Sequence, residues 1–578
     1  MRIWGFDALR YLPGGLTVAF GLLAGLLALA LATPRGRGLL DRAAGIWGSV
    51  VGSAADTGWR RRAGDTLLPL LLLALCWSLR SRHALLGDNW LRLDQAIRGE
   101  KLLYEWGTMA LAHAAIRLGE SAAGWTPRAS LALFNTLAVL PFGVAAAHLA
   151  RSLGRDAHGR GWVHLGLLGL GGLQLFCGYV EVYSWAFAVL ALYLACALRA
   201  LDRGSLLLPA GLFAAAVALH AVALPFVLPL AVLIVRRRFL LGPGGFTSDH
   251  PCDPWLRRAL PPATAAVLLG ALLLPLLVPS LVYAYAAGPG RLSLLSPTLW
   301  WERVNAFVLA SPAGALLGLP LLAGAAAGLL RGRARLEGDA LLMLSAALPV
   351  TLSLGMMKAV LGAADWDIQA FAGLPLVLWV AAATRPPAAA PEKARSGRRQ
   401  GSVLPALFAG LVVLSLCNTW GFIVVNAGSA SVQRVKDIIS NDPAPYYVDH
   451  PAPLHLAFLF EANDLRAEMY AALQDGVQRY PEDPRMAHNL ASAHFRDGDL
   501  AQAERWARAA SLKRPGYVPP IHLLFLIAER ERNAEDAVAI GEILLEIHER
   551  QPELVARYLR PQDLARIREV VGPAAPGR

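Results

Sequence analysis

Apolar runs of 15 to 25 residues recur along this chain from residue 12 to residue 425, separated by short charged or glycine-rich punctuation. Crossing the hydrocarbon layer takes about 20 apolar residues in a helix. Inside that layer every backbone amide and carbonyl must be bonded within the protein. The runs therefore predict an all-α, polytopic transmembrane bundle rather than a soluble globule. Composition agrees: 56% of the 578 residues are hydrophobic, 17% are charged, and mean hydropathy is +0.45. A soluble protein carries about a quarter charged residues.

The runs divide into about twelve expected segments, at 12–32, 66–86, 129–150, 162–177, 182–200, 205–219, 221–236, 262–284, 306–330, 338–361, 367–384 and 403–425. The two around Pro225 could also form one kinked helix. The first ends in LALATPRG, which also fits a cleaved signal peptide, although the arginine-rich stretch behind it favours a retained helix.

Arginine then assigns the sides. Arg35, Arg37, Arg42 and Arg60–Arg62 form one cluster; Arg151, Arg155 and Arg160 a second; Arg199 and Arg203 a third. Arg236–Arg238 with Arg257 and Arg258, then Arg331, Arg333 and Arg335, then the linker RPPAAAPEKARSGRRQ complete the set. With these segments all six fall on one face, which the positive-inside rule makes cytoplasmic. The basic excess is thus a topological signal, and no nucleic-acid partner is expected. Residues 1–64 form a first helix and a basic loop, 65–384 the main membrane domain, 385–402 the basic linker and 403–425 the last span. From Asn426 onward the chain carries 18 Lys+Arg against 22 Asp+Glu, so a separate, mildly acidic domain is expected on the outer face. Of the five cysteines, Cys76, Cys177, Cys196 and Cys417 fall in apolar segments and Cys252 in a polar loop. That distribution suggests no disulfide framework.

The outer face collects the acids and aromatics. LLGDNWLRLDQ puts Asp88 where the second segment leaves the bilayer, with Asp94 a turn and a half later. An amphipathic stretch follows, in which Tyr104 and Trp106 flank Glu105 and sit at headgroup level. Glu181 lies in the short turn GYVEVYSW, where a carboxylate is costly unless paired with an arginine or facing a wet cavity. Asp365 and Asp367 flank Trp366 in a third turn. Lys358, two helical turns before Asp365, either snorkels or meets a lipid phosphate. His220 lies beside Pro225 and serves packing or function. Arg128, Arg291 and Arg303 add cations. Together these residues suggest a cavity at the outer surface, in which a carboxylate acts as general base and cations hold a departing lipid phosphate.

Over residues 65 to 385 the pattern resembles the GT-C superfamily of polytopic glycosyltransferases, which use polyprenyl-phosphate-linked sugars. The resemblance rests on GDNWLRLDQAIRGEKLLYEWGTMALAHAAI, with Asp88 at the acidic motif of the first outer loop and Gly99 at its glycine. The break near Pro225 and the turns GYVEVYSW and DWD are similar to that layout too. By resemblance Asp88 is the catalytic base; the outer-face residues themselves offer Asp94, Glu105, Glu181, His220, Lys358, Asp365 and Asp367 as substrate-binding candidates, with Lys358 as a phosphate clamp. Members often carry two adjacent acids, whereas Asn89 follows Asp88 here, which leaves a divalent metal open.

In the tail, PEDPRMAHNLASAHFRDGDLAQAERWARAASLKRP fits tetratricopeptide spacing. Ala487, Leu490, Ala491, His494, Gly498, Ala503, Ala507, Ala510 and Pro515 fall at the positions that pattern expects. Degenerate neighbours flank it, predicting a small α-solenoid over 426–578, either a protein-docking surface or a stabilising cap. The expectation is a bacterial inner-membrane glycosyltransferase acting on a lipid, glycan or protein acceptor. A non-catalytic scaffold recruiting envelope proteins is the alternative. A transporter would want paired ionisable groups at mid-membrane, and His148, His220 and Lys358 are its only candidates.

Overall fold

A computed structural model describes residues 4–53, 56, 58–85, 89–100, 102, 104–201, 205–236, 297–332, 336, 338–356, 366–385, 403–441 and 451–572. Among these residues every regular element is helical and no strand occurs. The chain divides into two units, Met1–Ile438 with Asp442–Tyr446 and Ile439–Asn441 with Tyr447–Arg578. The division falls a little beyond the composition shift at Asn426.

In the first unit four helices are long and apolar enough to cross a membrane: Pro127–Leu153, Gly338–Gly355, Trp366–Ala383 and Val403–Ala427. A fifth span results if the pair Arg303–Ala310 and Gly314–Leu330, bent by 118°, counts as one. Among the described residues this corrects the expected twelve or so. The first apolar helix, Gly14–Ala32, has 19 residues, whereas the other apolar helices, Ala63–Ser78, Ser184–Ala200, Leu207–Leu219 and Ala221–Val235, run for 17 residues or fewer. At 1.5 Å per residue they fall short of the roughly 30 Å hydrocarbon thickness. Residues 162–177 are not one rod either: the helix Ala157–Leu168 ends and a 3-10 turn, Gly171–Phe176, follows. Apolar composition runs on through such breaks, so a hydropathy window does not register them. The segment 262–284 lies outside the described residues.

The basic stretch after the first helix, expected as a loop, contains the helix Pro34–Val51, started by Thr33 accepting from the Gly36 amide. It lies against Ala157–Leu168 at backbone contact. A Cβ on Gly48 would overlap the Ala157 carbonyl, and one on Gly161 would overlap that of Ala44. Small residues at such crossings let helices meet where lipid supplies no hydrophobic drive between them. Trp366–Ala383 is the central element, with 89% of its length buried.

Two helices carry unlike groups at their two ends. In Pro127–Leu153, Asn135 bonds the segment 179–181, whereas Arg151 pairs with Asp65 at 2.6 Å and donates to the Val51 carbonyl. The rise between these residues is about 24 Å. In Trp366–Ala383, Asp367 accepts from Tyr179 at the start, and Arg385 pairs with Asp339 just past the end.

The second unit is a run of helices, Ala452–Glu461, Arg466–Arg479, Pro484–Asp497, Leu500–Lys513, Val518–Arg530, Ala534–Arg550 and Pro561–Val571, each packed on the next. Asp483, Asp499 and Asn533 cap three of them through backbone amides. Ala487, Leu490, Ala491, Ala503, Ala507 and Ala510 are all buried, which brings the Pro484–Asp497 and Leu500–Lys513 axes close together.

Gly161→Leu forces apart the Pro34–Val51 and Ala157–Leu168 helices, so the purified variant melts several degrees below the parent, with Gly161→Ala intermediate. In the second unit, burial, with His522 and Arg496 nearby, holds the His488 imidazole down at about 4. Unfolded, it titrates near 6.5, so between those values the unfolded chain takes up a proton that the folded chain refuses. Its contribution, on the order of 3 kcal/mol, is complete above pH 6.5 and is lost as pH falls toward 4. Melting temperature should therefore drop on acidification through that window, and less steeply in His488→Gln.

Candidate functional site

The site begins where a helix stops. Leu207–Leu219 ends at His220, whose backbone is extended (φ −158°, ψ 134°), and the 3-10 turn Ala221–Phe226 follows. The break lies five residues before Pro225, at the residue whose side chain caps the new turn. The Val222 amide donates to His220 Nδ1 at 3.0 Å, the Ala221 amide to the Tyr104 carbonyl at 2.8 Å, and Thr108 Oγ1 to the Leu219 carbonyl at 2.9 Å. The first outer loop of the sequence thus folds back and satisfies the groups that the break exposes.

That fold-back depends on Gly99. It ends the helix Asn89–Arg98 in the left-handed region at φ +66°, with the Glu100 amide bonded to the Gln95 carbonyl. The chain reverses there and returns to Glu105, which precedes the helix Trp106–Ala123. Glu105 is fully buried: Arg92 Nη1 lies 2.5 Å from its Oε1, and His220 Nε2 lies 3.5 Å from its Oε2. His220 Nδ1 accepts from the Val222 amide, and Nε2 is the ring nitrogen that faces Glu105. The Arg92 guanidinium lies 6.0 Å from the Tyr104 ring centre, and Tyr104 meets His220 edge-on at 6.2 Å.

Residues 177–183 join this cluster to the central helix. Asn135 Nδ2 donates to the carbonyls of both Tyr179 and Glu181, at 2.7 and 2.6 Å, and fixes a stretch that has no helical bonds of its own. The Tyr183 ring sits 4.8 Å from His220 and 5.9 Å from Phe371. The Tyr179 hydroxyl donates to Asp367 Oδ2 at 2.7 Å, and its ring packs on Trp366. Asp367 and Phe371 are one turn apart on Trp366–Ala383, so one short segment touches both the Glu105 cluster and the Asp367 carboxylate. Glu181 is buried beside it.

The structure thus brings together Glu105, His220, Glu181 and Asp367 from four segments far apart in sequence. Asp94 lies apart from them, exposed and paired with Arg98 one turn on. Arg128 donates to the Arg82 carbonyl at 2.7 Å, while Arg303 is buried. Asp88, Lys358, Asp365 and Arg291 lie outside the described residues. Tyr179 and Tyr183, which flank Glu181 in GYVEVYSW, complete the cluster, and so do Arg92 and Asn135, which no sequence motif marks. Their signal was present: an arginine on the apolar face of a short helix, and an asparagine inside a long apolar run. Among the described residues no group of three His, Cys, Asp or Glu is placed to hold a metal ion.

Glu105 has one oxygen on Arg92 and the other toward His220, and Asp367 accepts from Tyr179 and from the Ile368 amide. Acids engaged in this way orient loops and neighbouring groups. Comparison with protein-family models, with curated proteins and with solved structures finds no match for the chain.

Removing one partner of a buried ion pair leaves an uncompensated charge, at a cost of about 3–5 kcal/mol. Arg92→Met should therefore destabilise the protein by about that amount, whereas Arg92→Met combined with Glu105→Gln should recover most of it. Thermal melts of the purified single and double variants measure both. An additive double variant would mean that the two residues are not coupled.

Proposed function

We propose that this protein is a membrane glycosyltransferase that moves a sugar from a polyprenyl-phosphate donor to an envelope acceptor at the extracytoplasmic face of a bacterial inner membrane. The observation that carries this reading is the convergence of Glu105, His220, Glu181 and Asp367 at one end of the first unit. In this reading those residues face the extracytoplasmic side. In this reading Asp88 is the general base that takes the acceptor's proton. It immediately precedes the helix Asn89–Arg98, which is tied to the bundle through Arg92 and Glu105. The helix pairs of the second unit are read as tetratricopeptide repeats, supported by the buried small residues at Ala491, Ala503 and Ala507.

A second reading is a non-catalytic scaffold that recruits envelope proteins through the second unit. It is favoured by the surroundings of Glu105 and Asp367: Glu105 is paired with Arg92 and faces His220, and Asp367 accepts from Tyr179. Sugar transfer by purified protein in nanodiscs, supplied with a panel of radiolabelled polyprenyl-phosphate sugars, separates the two. Transfer should fall at least about 100-fold in Asp88→Asn at unchanged membrane expression, and by less in Tyr179→Phe. Undiminished transfer in Asp88→Asn removes Asp88 from the mechanism. No transfer with any donor in the panel favours the scaffold.

A further inference from the structure

A groove of about 430 Å³ lies in the second unit between the helices Pro484–Asp497 and Val518–Arg530. Leu523 and Leu526 supply apolar surface, and Pro519 and Leu559 lie at its edges. Its polar lining is His488, Asn489, Ser492, Tyr517, His522 and Tyr558. No Lys, Arg, Asp or Glu lines it, although charged side chains are dense elsewhere on these helices.

The lining is uncharged at neutral pH. Burial holds the His488 imidazole down at about 4. Burial also lowers His522, against the opposing pull of Asp563 and Glu529. What remains are groups that both donate and accept. Neutral imidazoles, phenols and a hydroxyl each do so, and Asn489, whose Nδ2 donates to the Arg485 carbonyl, retains an amide oxygen that accepts. The buried Nδ1 of His488 has no hydrogen-bond partner within the protein, which is rare for a buried polar atom. Tyr517 meets Tyr558 edge to face at 6.0 Å, with 86° between the rings, and meets His488 at 6.2 Å and 80°. Rings set at right angles form a corner that offers one flat apolar face beside several hydroxyl-type partners.

That combination matches one chemical class. A pyranose presents a flat C–H face and a rim of hydroxyls, each both donor and acceptor, and bears no charge. A charged peptide would want ionic clamps, which the lining lacks. The volume falls in the usual range for small-ligand sites, about 300–1,000 Å³. We infer that this groove is a binding site for a neutral sugar, one or two pyranose units of a glycan, held by stacking on Tyr517 or Tyr558 and by hydrogen bonds from Asn489, Ser492 and His488. The inference does not depend on the catalytic reading and stands if Asp88 proves idle.

The test uses the full chain in lipid nanodiscs free of sugar-headed detergent. Saturation-transfer NMR and calorimetry are run with cellobiose, maltose, lactose and N,N′-diacetylchitobiose. At least one disaccharide should bind with a Kd near or below about 10 mM. Tyr517→Ala and Tyr558→Ala should each weaken it at least about tenfold, with Tyr517→Phe close to the parent. Asp88→Asn should leave it unchanged. Ser492→Leu, which fills the groove without removing a packed ring, should abolish binding, so the outcome survives if an alanine variant misfolds. Absence of binding by all four sugars overturns the proposal. So does binding that Ser492→Leu leaves intact, or a groove that takes up peptides and no sugar.

Discussion

Asn135 holds the first unit together at its most exposed weakness. A chain that breaks its helices inside an apolar bundle leaves amides and carbonyls without partners, and water is not there to take them. Each such break is met by a specific side chain or a returning loop. Asn135 spans the carbonyls of Tyr179 and Glu181 with one amide group. At the 118° bend, Ser415 accepts from the Ala313 amide and Ser311 from that of Gly314. Thr419 donates to the Gly169 carbonyl where the helix Ala157–Leu168 ends, and Asn426 reaches Gln174 beyond it. The helix Val403–Ala427 thus carries a row of polar residues that service its neighbours' breaks. At His220 the partner is the first outer loop itself.

This requirement explains why the charged residues sit where they do. The loop that closes the His220 break brings Glu105 into the protein, and a buried carboxylate persists only with partners. Arg92 and His220 are those partners, so one ion-paired cluster both neutralises the acid and ties the helix Asn89–Arg98 to the bundle. Asp65 and Arg151 do the same at the opposite end of Pro127–Leu153, with His148 alongside at 3.7 Å. The described acids are therefore parts of the frame first. Any chemistry that they support is done by positioning what lies beside them.

Much of this was legible in the chain. Apolar runs named an all-helical protein with helices long and apolar enough to cross a membrane, and the segments that carry Glu105, Glu181 and Asp367 meet in the first unit. The span count was not legible. A hydropathy window sums side chains, and the breaks at Leu168, His220 and Ser311 are decided by the backbone, where one residue leaves the helical region without changing the local composition. Asp94 and Glu105 illustrate the same limit for the site. Both are acids in one amphipathic stretch, yet one is exposed beside Arg98 and the other is fully buried. Only the reversal at Gly99 separates them.

The sequence by itself determined the helical class, the segregation of basic from acidic segments and the small residues of the tail, because hydropathy and helical periodicity are local. Tertiary structure alone decided where the apolar runs break, which helices stay long enough to cross a membrane, which acids are buried and who neutralises them. It also placed two tyrosines and two histidines around one uncharged groove. Those outcomes depend on which distant group reaches each exposed amide or carboxylate, and no window of neighbouring residues contains that information.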